Sequence, residues 1–218
     1  MQGSLVAAAR PLLGDDLRVT GASRTDAGVH ALRQTVSVRT ARRVSPDVVV
    51  RALNATLPRD VRVLDCEEAS LAFDARRAAI GKRYGYLVQN ASVAAPLLLR
   101  YAWHVPVALD VESMRRAVPP LRGRHDFRAF CAAAGRHHAP TCMIRALHVL
   151  RRRDRVAVFI SADRFLHHMV RNIVGSLVEV GRGARPPAWL GEVLVSRDRR
   201  RAGPTAPAQG LTLVRVMY

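Results

Sequence analysis

Gly21-Ala22-Ser23-Arg24-Thr25-Asp26-Ala27-Gly28-Val29-His30-Ala31 lies between two short strand-like runs and holds one carboxylate among small residues, beside an arginine. Gly21 and Gly28 permit positive φ and close approach of another chain, while the alanines and Ser23 leave room around the acid. Loops of this kind on a rigid scaffold carry binding sites. Arg24 and Asp26 are two apart, so on an extended segment both side chains leave the same face. A cation that close favours the ionised carboxylate, the form a nucleophile needs. The same local pattern also describes a Gly-rich turn with a surface Arg–Asp pair, so the flanking sequence has to decide.

Before the loop, Leu17 to Thr20 reads as a short strand. After it, Gln34 to Thr40 alternates with Val36 and Val38 on one face, as a half-buried strand does. Ser4 to Leu13 carries a helical apolar stripe (Leu5, Ala8, Ala9, Leu12, Leu13) that Pro11 should weaken by about 3 kcal/mol. Ser45-Pro46-Asp47 is a helix start, with a capping residue, a proline at the first helical position and an acid at the positive helix end; the helix runs to about Ala55. Val61 to Asp65 is expected to be a further strand. Residues 1–70 thus read as an α+β half that carries the loop.

Residues 71–108 are expected to be connecting strands. Ile80 to Val88 places Lys82, Tyr84 and Tyr86 on one face, either as a wall that stacks a base and holds phosphate or as cross-strand packing, which is favoured for Tyr86. A short strand is expected around Tyr101 to Val105. Residues 109–218 form the C-terminal α+β half. In it, Asp110 caps a helix through Val118, and Ile144 to Arg151 and Val156 to Ser161 form a hairpin about Arg152-Arg153-Asp154-Arg155. Leu166 to Val180 is the strongest helix, with apolar residues at i, i+3, i+4 spacing and Gly181 to end it. Arg171 lies beside that stripe and can reach a buried acid. A short helix over Pro187 to Ser196 and a strand over Leu211 to Val216 follow. Arg122 to His138 reads either as a basic loop that Phe127 and Phe130 anchor, with Arg122, Arg124, Arg128 and Arg136 free for phosphate, or equally as a solvated loop.

Charge supplies the partner class. The 218 residues hold 35 Lys+Arg against 17 Asp+Glu, a net charge of +18, and Lys82 is the only lysine. Arginine pairs phosphate bidentately and stacks on bases, which suits folded RNA. No apolar run is long enough to span a membrane and no signal-peptide layout is present, so a cytoplasmic protein is expected. Cys66, Cys131 and Cys142 are too few and too scattered for a disulfide framework. Cys131, His137, His138 and Cys142 lack the paired spacing of common zinc sites, and no metal is expected.

The loop from Gly21 to Ala31 resembles the signature of the bacterial tRNA pseudouridine synthase A (TruA-type) family, Gly-x-x-Arg-Thr-Asp-Ala-Gly-Val-His-Ala. Further blocks follow in the family's order: Asn54-Ala55-Thr56-Leu57-Pro58-Arg59-Asp60, Phe73-Asp74-Ala75-Arg76, Arg83-Tyr84-Gly85-Tyr86, Phe165 to Gly175, and Ala202 to Leu211. The resemblance implies two ferredoxin-like halves around a largely antiparallel sheet, with a central basic RNA-binding cleft. It implies isomerisation of uridine to pseudouridine in the tRNA anticodon stem-loop, around positions 38 to 40, by a homodimer that needs no cofactor. Position by position, Asp26 matches the catalytic aspartate, Arg171 an arginine that pairs with it, Arg24 the arginine that stabilises the flipped-out nucleotide, and Tyr84 the tyrosine that contacts the target uridine. Asp26 would attack ribose C1′ or the uracil ring, or abstract a ribose proton, and the residues alone do not choose.

The family's pattern opens with a strand bearing Tyr-Asp-Gly and Gly-Trp-Gln segments that has no counterpart here. A longer natural protein is therefore expected, with Met1 standing for a valine codon read as a start. The alternative readings are a catalytically impaired tRNA-binding protein or chaperone of the same fold and, third, a zinc hydrolase built on the Cys/His cluster.

Overall fold

The computed structural model describes residues 1–132 and 139–218. Arg136, read as a candidate phosphate contact, and His137 and His138 of the Cys/His cluster lie outside them. The chain is α+β and divides into two compact units, one of residues 1–24 and 34–79 and the other of residues 25–33 and 80–218.

In the first unit, α1 (Gln2–Leu13) and α2 (Pro46–Thr56) accompany an antiparallel pair, β1 (Arg18–Gly21) and β3 (Val36–Arg39). Pro11 is tolerated inside α1, which continues to Leu13. Ala9 and Leu13 of α1 meet Leu53 and Leu57 at the centre of a small core, with Leu5, Leu12, Val49 and Val63 packed around them. The strand expected over Val61 to Asp65 does not form. The Asn54 side chain takes the place of a neighbouring strand at Val63: its Nδ2 donates to Val63 O at 2.8 Å, and its Oδ1 accepts from Val63 N at 2.8 Å. Both backbone groups of Val63 are thus satisfied by one amide, and the segment gains nothing by pairing in a sheet.

The second unit is built on a seven-stranded sheet whose hydrogen-bonded order is β2 (His30–Ala31), β9 (Leu211–Met217), β4 (Gly81–Gln89), β8 (Arg155–Ala162), β7 (Thr141–Arg152) and β6 (Gly123–Asp126), with β5 (Trp103–His104) also paired to β4. Four of its strand pairings are antiparallel; β2 with β9 and β4 with β5 are parallel. The β7–β8 hairpin closes with Arg152 opposite Arg155 and Arg153 at φ 54°, the left-handed backbone that a two-residue hairpin turn demands. Strand β6 lies inside the stretch read as a loop. Phe127 and Phe130 are fully buried beside it, as anchors should be. Two of the arginines expected to be free there are engaged: Arg122 donates to Leu147 O at 2.9 Å, and Arg128 pairs with Asp126 at 3.4 Å.

Helices α3 (Val111–Arg116), α4 (Met169–Gly181) and α5 (Trp189–Ser196) share one core with the inward residues of β4, β7, β8 and β9. Met169, Ile173, Val174 and Leu177 of α4 are completely buried with Tyr86, Val88, Leu147 and Ile160. Tyr86 takes the packing role. It is 1% exposed, sits edge-on to Trp103, and donates its hydroxyl to Pro207 O at 2.7 Å. Among the described residues, no helix is long and apolar enough to cross a membrane.

Candidate active site

Asp26 is held by the turn that its own sequence specifies. Val29 N donates to Asp26 O at 3.1 Å, and Gly28, third in the turn, adopts φ +80°, a backbone region strained for a side chain of L configuration. The Gly28 position also packs close to Ala208, where an added Cβ would lie 3.3 Å from that alanine's own Cβ. Val29 is buried in the core, and β2 then joins the edge of β9, with Leu32 N donating to Leu213 O. His30 continues the fastening through a 2.7 Å hydrogen bond to Arg100 O. The loop is thereby fastened on the C-terminal side of the acid, although Asp26 itself lies outside any helix or strand.

Arg171 meets it from the first turns of α4. Its NH1 lies 3.1 Å from Asp26 Oδ2, and its Nε donates to Ala206 O at 2.7 Å. Ala206 N returns a bond to Arg171 O at 3.1 Å. The segment from Gly203 to Ala206 is itself tied to α4: Gly203 N donates to Ser176 Oγ, and Thr205 Oγ1 to Asn172 Oδ1, which also accepts from Arg199. Gly175 makes that contact possible, since a Cβ there would fall 1.8 Å from Pro204 O. The Arg171 side chain is 14% exposed and that of Asp26 31%, so the pair is sheltered yet open to a ligand.

Two imidazoles complete the surroundings of the acid. His168 Nε2 lies 3.2 Å from Asp26 Oδ2, and His167 Nε2 lies 3.7 Å from Oδ1. Their ring centroids lie 3.9 Å apart, with the planes tilted by 36°. His168 has φ +59°, which ends the helix on its N-terminal side and starts α4 at Met169 rather than at Leu166. Burial pushes the His168 imidazole below the ordinary histidine range. Asp26 pulls it the other way, and His167, Arg171 and Arg199 add to the lowering.

Of the four residues singled out from sequence, Asp26 and Arg171 are brought together as an ion pair. Tyr84 is in the same unit, 6% exposed, with its ring edge-on to Phe165 at 5.1 Å, two residues before His167. Arg24 is exposed and counts with the first unit. His167 and His168 were not among the four; their signal was a His pair placed just ahead of the arginine on the best helix in the chain. A carboxylate held by a guanidinium and flanked by two imidazoles can act as a nucleophile or as a base.

The family model described as tRNA pseudouridine synthase matches residues 3–76 and 117–218. The chain is 46% identical over 219 residues to tRNA pseudouridine synthase A of Myxococcus xanthus, covering 100% of this chain and 83% of the relative. The protein of the same name from Moorella thermoacetica is 41% identical over 218 residues, at 100% and 89% coverage. That of Methylococcus capsulatus is 45% identical over 204 residues, at 93% and 74%. With the signature loop, the paired Asp26 and Arg171 and these matches together, the chain belongs to the tRNA pseudouridine synthase family, enzymes of the isomerase class.

Proposed function

We propose that the protein isomerises uridine to pseudouridine in the anticodon stem-loop of tRNA, around positions 38 to 40, as a homodimer and with Asp26 as the catalytic group. The observation that carries this reading is the ion pair of Asp26 with Arg171, in which a carboxylate is aimed by a guanidinium that the backbone of Ala206 anchors. The reaction detaches uracil from ribose at N1, turns the base and rejoins it at C5, so atoms are conserved and no redox partner is needed. The target is stacked and must be extruded, at a cost of a few kcal/mol that binding to the extruded base and backbone offsets. Tyr84 contacts the uracil, and Arg24 holds the displaced nucleotide. The arginine excess supplies the polyanion affinity.

Chemical mapping of pseudouridine in unmodified tRNA transcripts tests the assignment. The reading requires modification confined to positions 38 to 40 and absent with Asp26→Ala, while that variant still binds tRNA. Modification in another arm would refute the position, and binding without any product would favour a tRNA-binding protein of the same fold. Light scattering of the purified chain tests the dimer.

A further inference from the structure

The isomerisation needs one carboxylate and its arginine, yet Asp26 has two more polar neighbours. His167 and His168 each bring an imidazole nitrogen to it, at 3.7 Å and 3.2 Å, and ligand atoms of the three residues all lie within 4.8 Å of one another. Around a zinc ion with bonds of about 2.0–2.2 Å, neighbouring ligand atoms stand roughly 3.0–3.5 Å apart. The two nitrogen–oxygen spacings, 3.2 and 3.7 Å, fall within a few tenths of an ångström of that range, and the remaining separation, within 4.8 Å, closes when an imidazole turns toward the ion. We propose that His167, His168 and Asp26 form a binding site for Zn2+ built directly on the candidate catalytic carboxylate.

The donor set is two nitrogens and one oxygen, which selects a borderline transition ion over the hard cations Mg2+ and Ca2+. Arg171 engages Oδ2, the oxygen nearer His168, and its tie to Ala206 keeps the guanidinium on that side. Oδ1, on the His167 side, is the oxygen left to the metal, and His168, whose Nε2 faces Oδ2, has to turn toward it. His167 is half exposed, so an ion has access from solvent, and three protein ligands leave a position for water. Arg171 and the net charge of +18 oppose a dication, which limits affinity and makes occupancy reversible. Bound Zn2+ takes Oδ1 out of use, so inhibition follows wherever that carboxylate acts. The binding itself does not depend on the isomerase reading.

The test uses the full chain, stripped with a chelator, and no RNA. ZnCl2 is titrated calorimetrically, and CoCl2 is added as a visible probe of nitrogen ligation. His167→Ala and His168→Asn remove one donor each; asparagine is chosen at 168 because it tolerates the left-handed backbone there. The parent is expected to bind one equivalent of Zn2+, to resist competition by Mg2+, and to give a Co2+ spectrum with nitrogen ligands. Each substitution is expected to weaken Zn2+ by at least about tenfold, with circular dichroism unchanged. A parent that binds no Zn2+, or binding that survives both substitutions, overturns the proposal; the latter would locate the metal elsewhere, as at Cys131 and Cys142. Zn2+ binding by a protein without turnover would stand against the isomerase reading alone.

Discussion

Replacing Gly175 with alanine should destabilise the protein, although alanine is the better helix former. Gly175 lies mid-way along α4, and an added Cβ would meet Pro204 O at 1.8 Å, Pro204 C at 2.9 Å and Ala206 N at 3.4 Å. These are backbone atoms, so no side chain can rotate away. Either the Gly203–Ala206 segment lifts from the helix or α4 shifts in its packed core, at a cost of roughly 3 kcal/mol. Helix propensity returns about 1 kcal/mol, leaving a net loss of about 2 kcal/mol. For a chain of this size that corresponds to a melting temperature lower by roughly 4–8 °C. Gly3 provides the control: it lies in α1 with nothing within 4 Å of an added Cβ, and Gly3→Ala should stabilise by roughly 0.5 kcal/mol. Thermal and urea unfolding followed by circular dichroism measures both. Lifting the segment also loosens the Ala206 carbonyl that anchors Arg171, so Gly175→Ala should lose turnover at temperatures where it is still folded. A Gly175→Ala protein as stable as its parent would refute the close seating of Pro204 on α4, and with it this account of how Arg171 is held.

Tyr86→Phe leaves Pro207 O without its 2.7 Å partner in a buried place and should cost about 1–3 kcal/mol, read by urea unfolding. Burial pushes the Cys142 thiol up to about 11, so at pH 8 its thiolate fraction is only about one in a thousand; iodoacetamide should leave Cys142 unlabelled in the native protein and label it after unfolding, as peptide mass analysis would show. Binding of tRNA should weaken by at least tenfold as salt rises from about 50 to about 200 mM, because arginine–phosphate contacts release counterions; filter binding that is flat across that range would contradict a phosphate-dominated interface.

The parts of this fold that were legible in the sequence are those set by side-chain period. The apolar spacing on α4 and the alternation in β7, β8 and β9 are consequences of burying one face, and a face is visible in one dimension. The Asp26 loop was legible because its glycine answers a backbone requirement at one position. What stayed hidden depends on partners far away in the chain. Val61 to Asp65 has the composition of a strand, but strand formation requires a neighbour, and the amide of Asn54 satisfies Val63 first. Strand β6 was hidden for the opposite reason: Gly123-Arg124-His125-Asp126 has no apolar alternation, and its pairing with β7 supplies the extended conformation. The imidazoles beside Asp26 come from 141 and 142 positions along the chain. His168 stands in a left-handed turn just before α4, and nothing local to His167-His168 announces that turn.

The most direct test of the central claim is tritium release from tRNA labelled at uridine C5, because rejoining the base at C5 expels that hydrogen. The parent protein should release tritium without added cofactor, and Asp26→Asn, which keeps the shape of the side chain and removes its charge, should release none while still binding tRNA. Release by Asp26→Asn at the parental rate would contradict the assignment of the chemistry to this carboxylate.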